Sequence, residues 1–329
     1  MILVTGGTGL VGAHLLHTLT KEGNKVRAIY RSEQSLDYVR ELFRFYNNKQ
    51  LHLIQWIEAD LLDYFSLLDA LKGIDKVFHC AAMVSFKPSD RMAMFTANVD
   101  GTANLVNASI ECGVERFCHV SSIATLGKTQ NGQQIDETTF WQNDDNHSVY
   151  SQSKFRAEME VWRGTKEGLK ALVVNPSVIL GPCPGDKSSG QLIHTLSKNM
   201  LFYTGGGSGF VDVRDVTKAM VTLAESEVVN ERFIINGENL SYKELMTTAA
   251  EVFGVKAPSI KANRWLTGIA WRWERLQYML FRRAPKMTKE TARTSQNQSK
   301  YSISKLQEVS PMAFLSIKEA LENAKAYQS

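Results

Sequence analysis

The chain has 329 residues, 43% of them hydrophobic and 22% charged, with 38 basic against 34 acidic side chains. That apolar content excludes a wholly disordered chain, and seven prolines and 22 glycines are too few for a collagen-like or low-complexity one. A net charge of +4 is too mild to point to nucleic acid, and the length suits about two domains, or one large α/β domain with an addition.

The four cysteines, Cys80, Cys112, Cys118 and Cys183, form no CxxC pair, so neither a zinc site nor a disulfide framework is expected. Cys80 and Cys118 lie in apolar runs and read as core residues. No apolar run is long enough to span a membrane. The N-terminal MILVTGG has no basic leader and reads directly as a strand, so a cytoplasmic location is the default expectation.

Met1 to Val4 reads as a buried strand, and Leu10 to Glu22 as a helix stopped by Gly23. Strands follow at 25–30, 51–58, 76–80 and 116–121, alternating with helices at 36–46, 64–71 and 92–111. A polar loop at 129–147 precedes a helix at 149–166 and a sixth strand at 171–178. Strand and helix alternating at this spacing predict a doubly wound parallel α/β sheet of Rossmann type. Its ligand crevice lies at the carboxyl ends of the strands.

Beyond Val178 the pattern changes. Residues 181–190 and 205–209 read as loops, 216–226 as a helix and 232–236 as a short strand. Ser241 caps a helix to Phe253, with Glu244 completing a capping box. A last helix runs from Ser316 to Tyr327. Residues 1–180 with 211–237 are expected to form the cofactor domain, and 181–210 with 238–329 a smaller substrate lobe. Within 263–286 six basic residues face one acid among tryptophans 265, 271 and 273. That segment reads as an amphipathic packing helix, a lid over an apolar ligand, or a contact for an anionic surface.

Thr5-Gly6-Gly7-Thr8-Gly9-Leu10-Val11-Gly12 follows the first strand and opens the first helix. Gly6 suits the tight turn, Gly9 the close approach of a pyrophosphate, and Gly12 the packing of helix on strand. The free N–H groups of the helix N-terminus attract phosphate. A dinucleotide loop is therefore expected, with Thr8, Leu10 and Val11 beside the phosphates. An acid at the end of the second strand would select NAD. Here Tyr30 is followed by Arg31, which suits a 2′-phosphate, so NADP(H) is expected, with NAD(H) as the other candidate. Asp60 and Leu61 follow the third strand, where an adenine amino group would lie. Ala81 and Ala82 follow the fourth, where a ribose needs a close backbone. His79, at the end of a buried strand, reads as structural.

Tyr150 and Lys154 stand four apart and share a helix face. A lysine ammonium beside a phenol would lower its pKa and suit it to proton exchange near neutral pH. Ser121 and Ser122 end the fifth strand at the same crevice.

Taken in order, TGGTGLVG, Asp60-Leu61, His79-Cys80-Ala81-Ala82, Asn98-Val99-Asp100-Gly101-Thr102, Val120-Ser121-Ser122, Tyr150 to Lys154 and Asn175 to Pro182 resemble an extended short-chain dehydrogenase/reductase of the NAD(P)-dependent epimerase/dehydratase superfamily. The resemblance is strong to about residue 240 and is greatest to the dihydroflavonol reductase and 3β-hydroxysteroid dehydrogenase branch. It implies Tyr150 as acid/base, Lys154 as its partner and ribose anchor, and Ser122, five residues before Gly127, as the substrate-orienting hydroxyl. It also implies that Asn98 supports the active-site helix, and that Pro176, Ser177 and Val178 lie against the nicotinamide. The activity so implied interconverts a secondary alcohol and a ketone, or an aldehyde, using NADP(H). A nucleotide-sugar epimerase or dehydratase with tightly held NAD is the first alternative. Such enzymes resemble this chain less, because Tyr30 stands where they carry an acid and Leu126 precedes Gly127. A dinucleotide sensor without chemistry is the second alternative. The implied partner is a small-molecule substrate, apolar in one reading. Homodimerisation stays open, and no nucleic acid or membrane span is expected.

Overall fold

The computed structural model describes the chain apart from residues 86, 130–132, 143–146, 186–187, 264, 266–267, 269–270, 274–294 and 329. Its first half alternates strand and helix: β1 (Ile2–Thr5), α1 (Leu10–Lys21), β2 (Val26–Tyr30), α2 (Asp37–Phe45), β3 (Ile54–Glu58), α3 (Tyr64–Leu71) and β4 (Lys76–His79). There follow α4 (Arg91–Phe95), α5 (Gly101–Glu111), β5 (Arg116–Val120), α6 (Val149–Lys166) and β6 (Ala171–Pro176). With β10 (Glu231–Ile235) these strands form a seven-stranded sheet in the order β3-β2-β1-β4-β5-β6-β10, parallel at every pairing. The order reverses between β1 and β4, which opens a crevice at their carboxyl ends.

Both faces of the sheet are covered, so neighbouring residues on one strand enter different cores. Val4, Phe78, Cys118, Leu172 and Val174 pack with α1, α2 and α8 (Val213–Glu225). Leu3, Val77, Phe117, Ala171 and Val173 pack with α3, α5 and α6. A third cluster joins Leu180, Ile193, Phe210, Leu245, Ala249 and Leu321 in the smaller part of the molecule. That part holds β7 (Val178–Leu180), α7 (Ser188–Leu196), β8 (Phe202–Thr204), β9 (Gly207–Asp212), β11 (Glu238–Ser241), α9 (Tyr242–Phe253) and β12 (Ile260–Ala262), while α10 (Ser304–Val309) returns beside β10 and buries Leu306 in the first core, and α11 (Ile317–Gln328) closes the third cluster.

Four departures from the sequence reading have physical causes. The helix expected at 92–111 is interrupted by a π turn at Thr96–Asp100, where the Asn98 amide is drawn to the backbone of Met83. The third strand begins at Ile54, because 50–53 coil into a 3-10 turn. The sixth strand divides at Ser177. Its N–H still pairs with Ile235 of β10, but Val178 onward pairs with β9 in a second sheet. The glycine run at 205–209, expected to be a loop, enters β9. A Cβ on Gly207 would lie 2.6 Å from the Leu240 carbonyl oxygen of β11, and one on Gly209 would collide with the Asn236 side chain. Glycine there permits strands to approach, whereas composition alone suggests a turn.

Gly209→Ala therefore overpacks the junction of β9 and β10. We expect it to lower the unfolding free energy by about 1–3 kcal/mol, read from the midpoint of a urea titration.

Candidate functional site

Thr5 ends β1 and the chain turns at once, with Gly6 at φ +67°. A Cβ on Gly6 would sit 2.5 Å from the Ala81 amide nitrogen, so this turn lies directly on the chain leaving β4. A Cβ on Gly12 would overlap the Gly6 carbonyl oxygen, which brings the first turn of α1 onto the loop. The loop is closed by the Gly9 N–H donating to Gly6 O at 2.9 Å. Gly9 is the N-cap of α1 and offers no side-chain acceptor, and the first turn contains no acid. The amides of that turn are thus aimed outward with the positive end of the helix dipole, a cradle fitted to a dinucleotide pyrophosphate.

The other residues singled out for the cofactor also fall at carboxyl ends of strands. Thr8, Leu10 and Val11 are half-buried along the loop and α1. Arg31 is exposed immediately after β2, while Tyr30 packs edge-on against Trp56 of β3. Asp60 is exposed and accepts from Leu62 N at 2.9 Å, and the Leu61 carbonyl is held by Asn104 of α5. Ala81 is half-buried and Ala82 exposed beyond β4. Pro176 and Ser177 are buried and Val178 half-buried at the end of β6. The Ser177 hydroxyl has no hydrogen-bond partner among the described residues.

Helix α6 brings the reactive groups together. Ser148 caps it by accepting from Ser151 N at 2.7 Å, which places Tyr150 in the first turn and Lys154 one turn further. The half-buried Tyr150 phenol lies beside Ser122, which follows β5. Lys154 is 2% exposed. Its ammonium donates to Val120 O at 2.8 Å and lies 3.5 Å from Nε2 of His119. One sequence expectation is corrected here. Burial raises the Tyr150 pKa, and the Ser122 hydroxyl beside it pulls it down by less. The Lys154 ammonium donates to the carbonyl at the end of β5 rather than to the phenol. Lys154 itself is pushed down to about 8 by burial, against the opposing fields of Glu158 and Cys80.

His79 lies fully buried behind this site and is neutral. The single proton of Thr102 goes to Asn98 O at 2.6 Å, so Nε2 of His79 donates to Thr102 at 2.9 Å and Nδ1 accepts from Thr5 at 2.7 Å. Burial, with the Lys154 charge second, holds its pKa down at about 3. The chain of bonds links the end of β1 to the π turn. From there the Asn98 amide donates to Ser153 of α6 at 3.0 Å. Glu158, not among the residues expected at the site, stands one turn after Lys154 on the same helix face. Among the described residues no cluster of three or more His, Cys, Asp or Glu could hold a metal ion, and no helix is long and apolar enough to cross a membrane. The basic aromatic segment falls mostly outside the described residues. Within it Trp265 and Trp273 are 80% and 60% exposed, and Arg272 stacks on Trp271.

A family model described as NAD dependent epimerase/dehydratase matches residues 2–236. The chain belongs to this family. It is an NAD(P)-dependent oxidoreductase of the extended short-chain dehydrogenase/reductase type. A Synechocystis protein carrying a dihydroflavonol 4-reductase assignment is 30% identical over 98% of this chain and 92% of its own. A 3-beta-hydroxysteroid dehydrogenase of Mycolicibacterium neoaurum is 27% identical over 84% of this chain and 77% of its own. The crystal structure of gox2253 superposes with a TM-score of 0.83 at 31% identity, covering 99% of this chain and 97% of that one. UDP-glucose 4-epimerase of Thermotoga maritima, at 20% identity and a TM-score of 0.76, shares the fold over 99% of this chain and 98% of its own.

The glycine cradle yields a direct test. Gly12→Ala should separate α1 from the loop and raise the dissociation constant for nicotinamide dinucleotide at least about tenfold, since about 1.4 kcal/mol is one decade. Fluorescence titration reads this, with thermal unfolding as the control for stability.

Proposed function

We propose that this enzyme is an NADP(H)-dependent reductase or dehydrogenase that interconverts an alcohol and its ketone or aldehyde, with Tyr150 as the acid/base. The observation that carries the reading is the placement of the Tyr150 phenol beside the Ser122 hydroxyl, with Lys154 one helical turn away. The cofactor, when bound, supplies or accepts a hydride at nicotinamide C4. In reduction Ser122 orients the carbonyl oxygen, and Tyr150 gives its hydroxyl proton to that oxygen as the carbonyl carbon gains hydride. In oxidation the phenolate takes the same proton back. Burial raises the Tyr150 pKa, so the phenol is its resting form at neutral pH, as proton donation requires. Lys154 holds the ribose and offers a cation near the phenol while it remains protonated.

Several features support the finer assignments. Arg31 directly follows β2, is exposed and makes no ion pair among the described residues, so its guanidinium is free for a 2′-phosphate. Val84 and Phe140 are exposed apolar side chains on the loops that follow β4 and β5, which suits an apolar substrate. The described relatives include a reductase and a steroid dehydrogenase by name. We assign the cofactor to residues 1–180 with 211–237 and the substrate to the remaining lobe.

Tyr150→Phe should lower kcat at least about 100-fold on a confirmed carbonyl substrate, while NADPH binding changes by less than about threefold. Near wild-type turnover would remove Tyr150 from the mechanism.

NADPH should bind more tightly than NADH, and Arg31→Ala should erase roughly 10- to 100-fold of that preference, the worth of a charge-assisted hydrogen bond. Paired titrations decide it, and equal affinities in the unaltered protein would refute the NADP assignment. Mass spectrometry of any co-purifying dinucleotide separates this reading from an epimerase, which recycles tightly held NAD.

A further inference from the structure

Tyr150, Lys154 and Glu158 lie on one stripe of α6, each a turn from the next. The Glu158 side chain is 0% exposed. Oε2 accepts from Ser121 at 2.6 Å, Thr125 at 2.8 Å and Asn175 at 3.1 Å. Oε1 accepts from Trp162 at 3.1 Å and from Arg232 at 3.4 Å. The donors come from the end of β5, the turn after it, β6, β10 and α6 itself. A buried carboxyl group without water is expensive, and this number of donors replaces its lost hydration. The same donors frame Ser122. Asn175 Nδ2 also reaches the Ser122 carbonyl at 3.1 Å, and the Thr125 hydroxyl lies 2.9 Å from it.

We propose that Glu158 is a positioning residue for the chemistry proposed above. It fixes the Ser121–Thr125 turn, and with it Ser122, against α6, and its negative charge keeps Lys154 cationic. The inference rests on that functional reading for its consequence in turnover, but the effect on Lys154 stands independently of the substrate.

The groups facing Lys154 define the electrostatics. His119 of β5 and His79 of β4 are both buried, and burial holds both neutral. Cys80, beyond β4, is kept as a thiol by burial. Tyr150 on the same helix is neutral at rest. Glu158 is therefore the one carboxylate among these neighbours, and its field raises the Lys154 pKa. The group opposing Glu158 is Arg232, whose guanidinium also donates to the Glu137 carbonyl at 2.6 and 3.0 Å. The Glu137 carboxylate is occupied in turn by Ile234 N at 2.8 Å. Removing the Glu158 charge disfavours the ammonium, so Lys154 loses its proton at lower pH. Removing the Arg232 charge leaves the Glu158 field less compensated, so Lys154 keeps its proton to higher pH.

The test uses the full-length protein with 13Cε-labelled lysine, following the Lys154 resonance against pH beside the pH profile of kcat/KM. Glu158→Gln keeps the shape and removes the charge. It should move both the Lys154 titration and the alkaline limb of the rate to lower pH by about one unit. Its loss of turnover should be several times greater at pH 8.5 than at pH 6.5, given a starting value of about 8. Glu158→Asp, which retains the charge on a shorter arm, should lower kcat and leave the limb in place. Arg232→Met should move the limb the other way, and it carries the test if Glu158→Gln does not fold. Lys154 titrating at the same pH in the unaltered protein, Glu158→Gln and Arg232→Met would overturn the proposal. If the titration moves while Tyr150→Phe still turns over, the proton assignment to Tyr150 fails and the hold of Glu158 on Lys154 stands.

Discussion

A lysine ammonium at the end of β5, almost wholly removed from water, sets the terms for the groups around it. Its burial costs several kcal/mol unless partners replace the lost hydration. The Val120 carbonyl accepts one hydrogen bond from it directly, and Glu158 supplies the compensating charge one turn along α6. The histidines on β4 and β5 must then stay neutral, because a second cation in the same dry region would repel the first. His79 meets that demand by spending both ring nitrogens on threonine hydroxyls. The neutral histidine is first a consequence of its burial in the sheet, and the lysine charge reinforces it.

Those threonine hydroxyls tie the helix that carries the lysine to the phosphate cradle. Thr5 ends β1 at the turn of Gly6, and Thr102 follows the π turn that presents Asn98 to α6. The path from cradle to reactive helix is therefore a run of short hydrogen bonds between buried side chains. A buried network of this kind is rigid because each broken bond leaves an unpaired polar group. The glycines add the steric part. Gly6 lies against Ala81, and Gly12 against Gly6, at the point where strand order reverses. The crevice, the helix dipole and the reactive stripe of α6 then open to the same edge of the sheet.

Periodicity revealed most of the main sheet and its helices, since a strand buried on both faces and a helix with one apolar stripe each leave a pattern in the local sequence. The glycine loop and the Tyr150–Lys154 spacing were legible for the same reason, as their geometry is local. The second sheet was not legible. Gly207 and Gly209 carry no β propensity, and they form a strand only because β11 and Asn236 approach closer than any side chain would allow. The π turn at 96–100 was equally hidden, being caused by a distant backbone at Met83. Glu158 had one local signal, its place a turn beyond Lys154 on a buried face. Its partners come from 121, 125, 162, 175 and 232, and no window of sequence contains them.

The direction of the Tyr150 pKa shows where that boundary falls. The four-residue spacing placed the phenol and the lysine on one face of a helix, because helical geometry is a property of the backbone alone. Whether the ammonium faces the phenol or the Val120 carbonyl depends on β5, which lies across the interface from α6. Desolvation likewise comes from what packs on top of a group. The amino-acid order by itself therefore determined which groups are present, on which element, and at which edge of the sheet. The tertiary structure decided their protonation and their partners, because charge in a dry interior is governed by neighbours that only folding brings within reach.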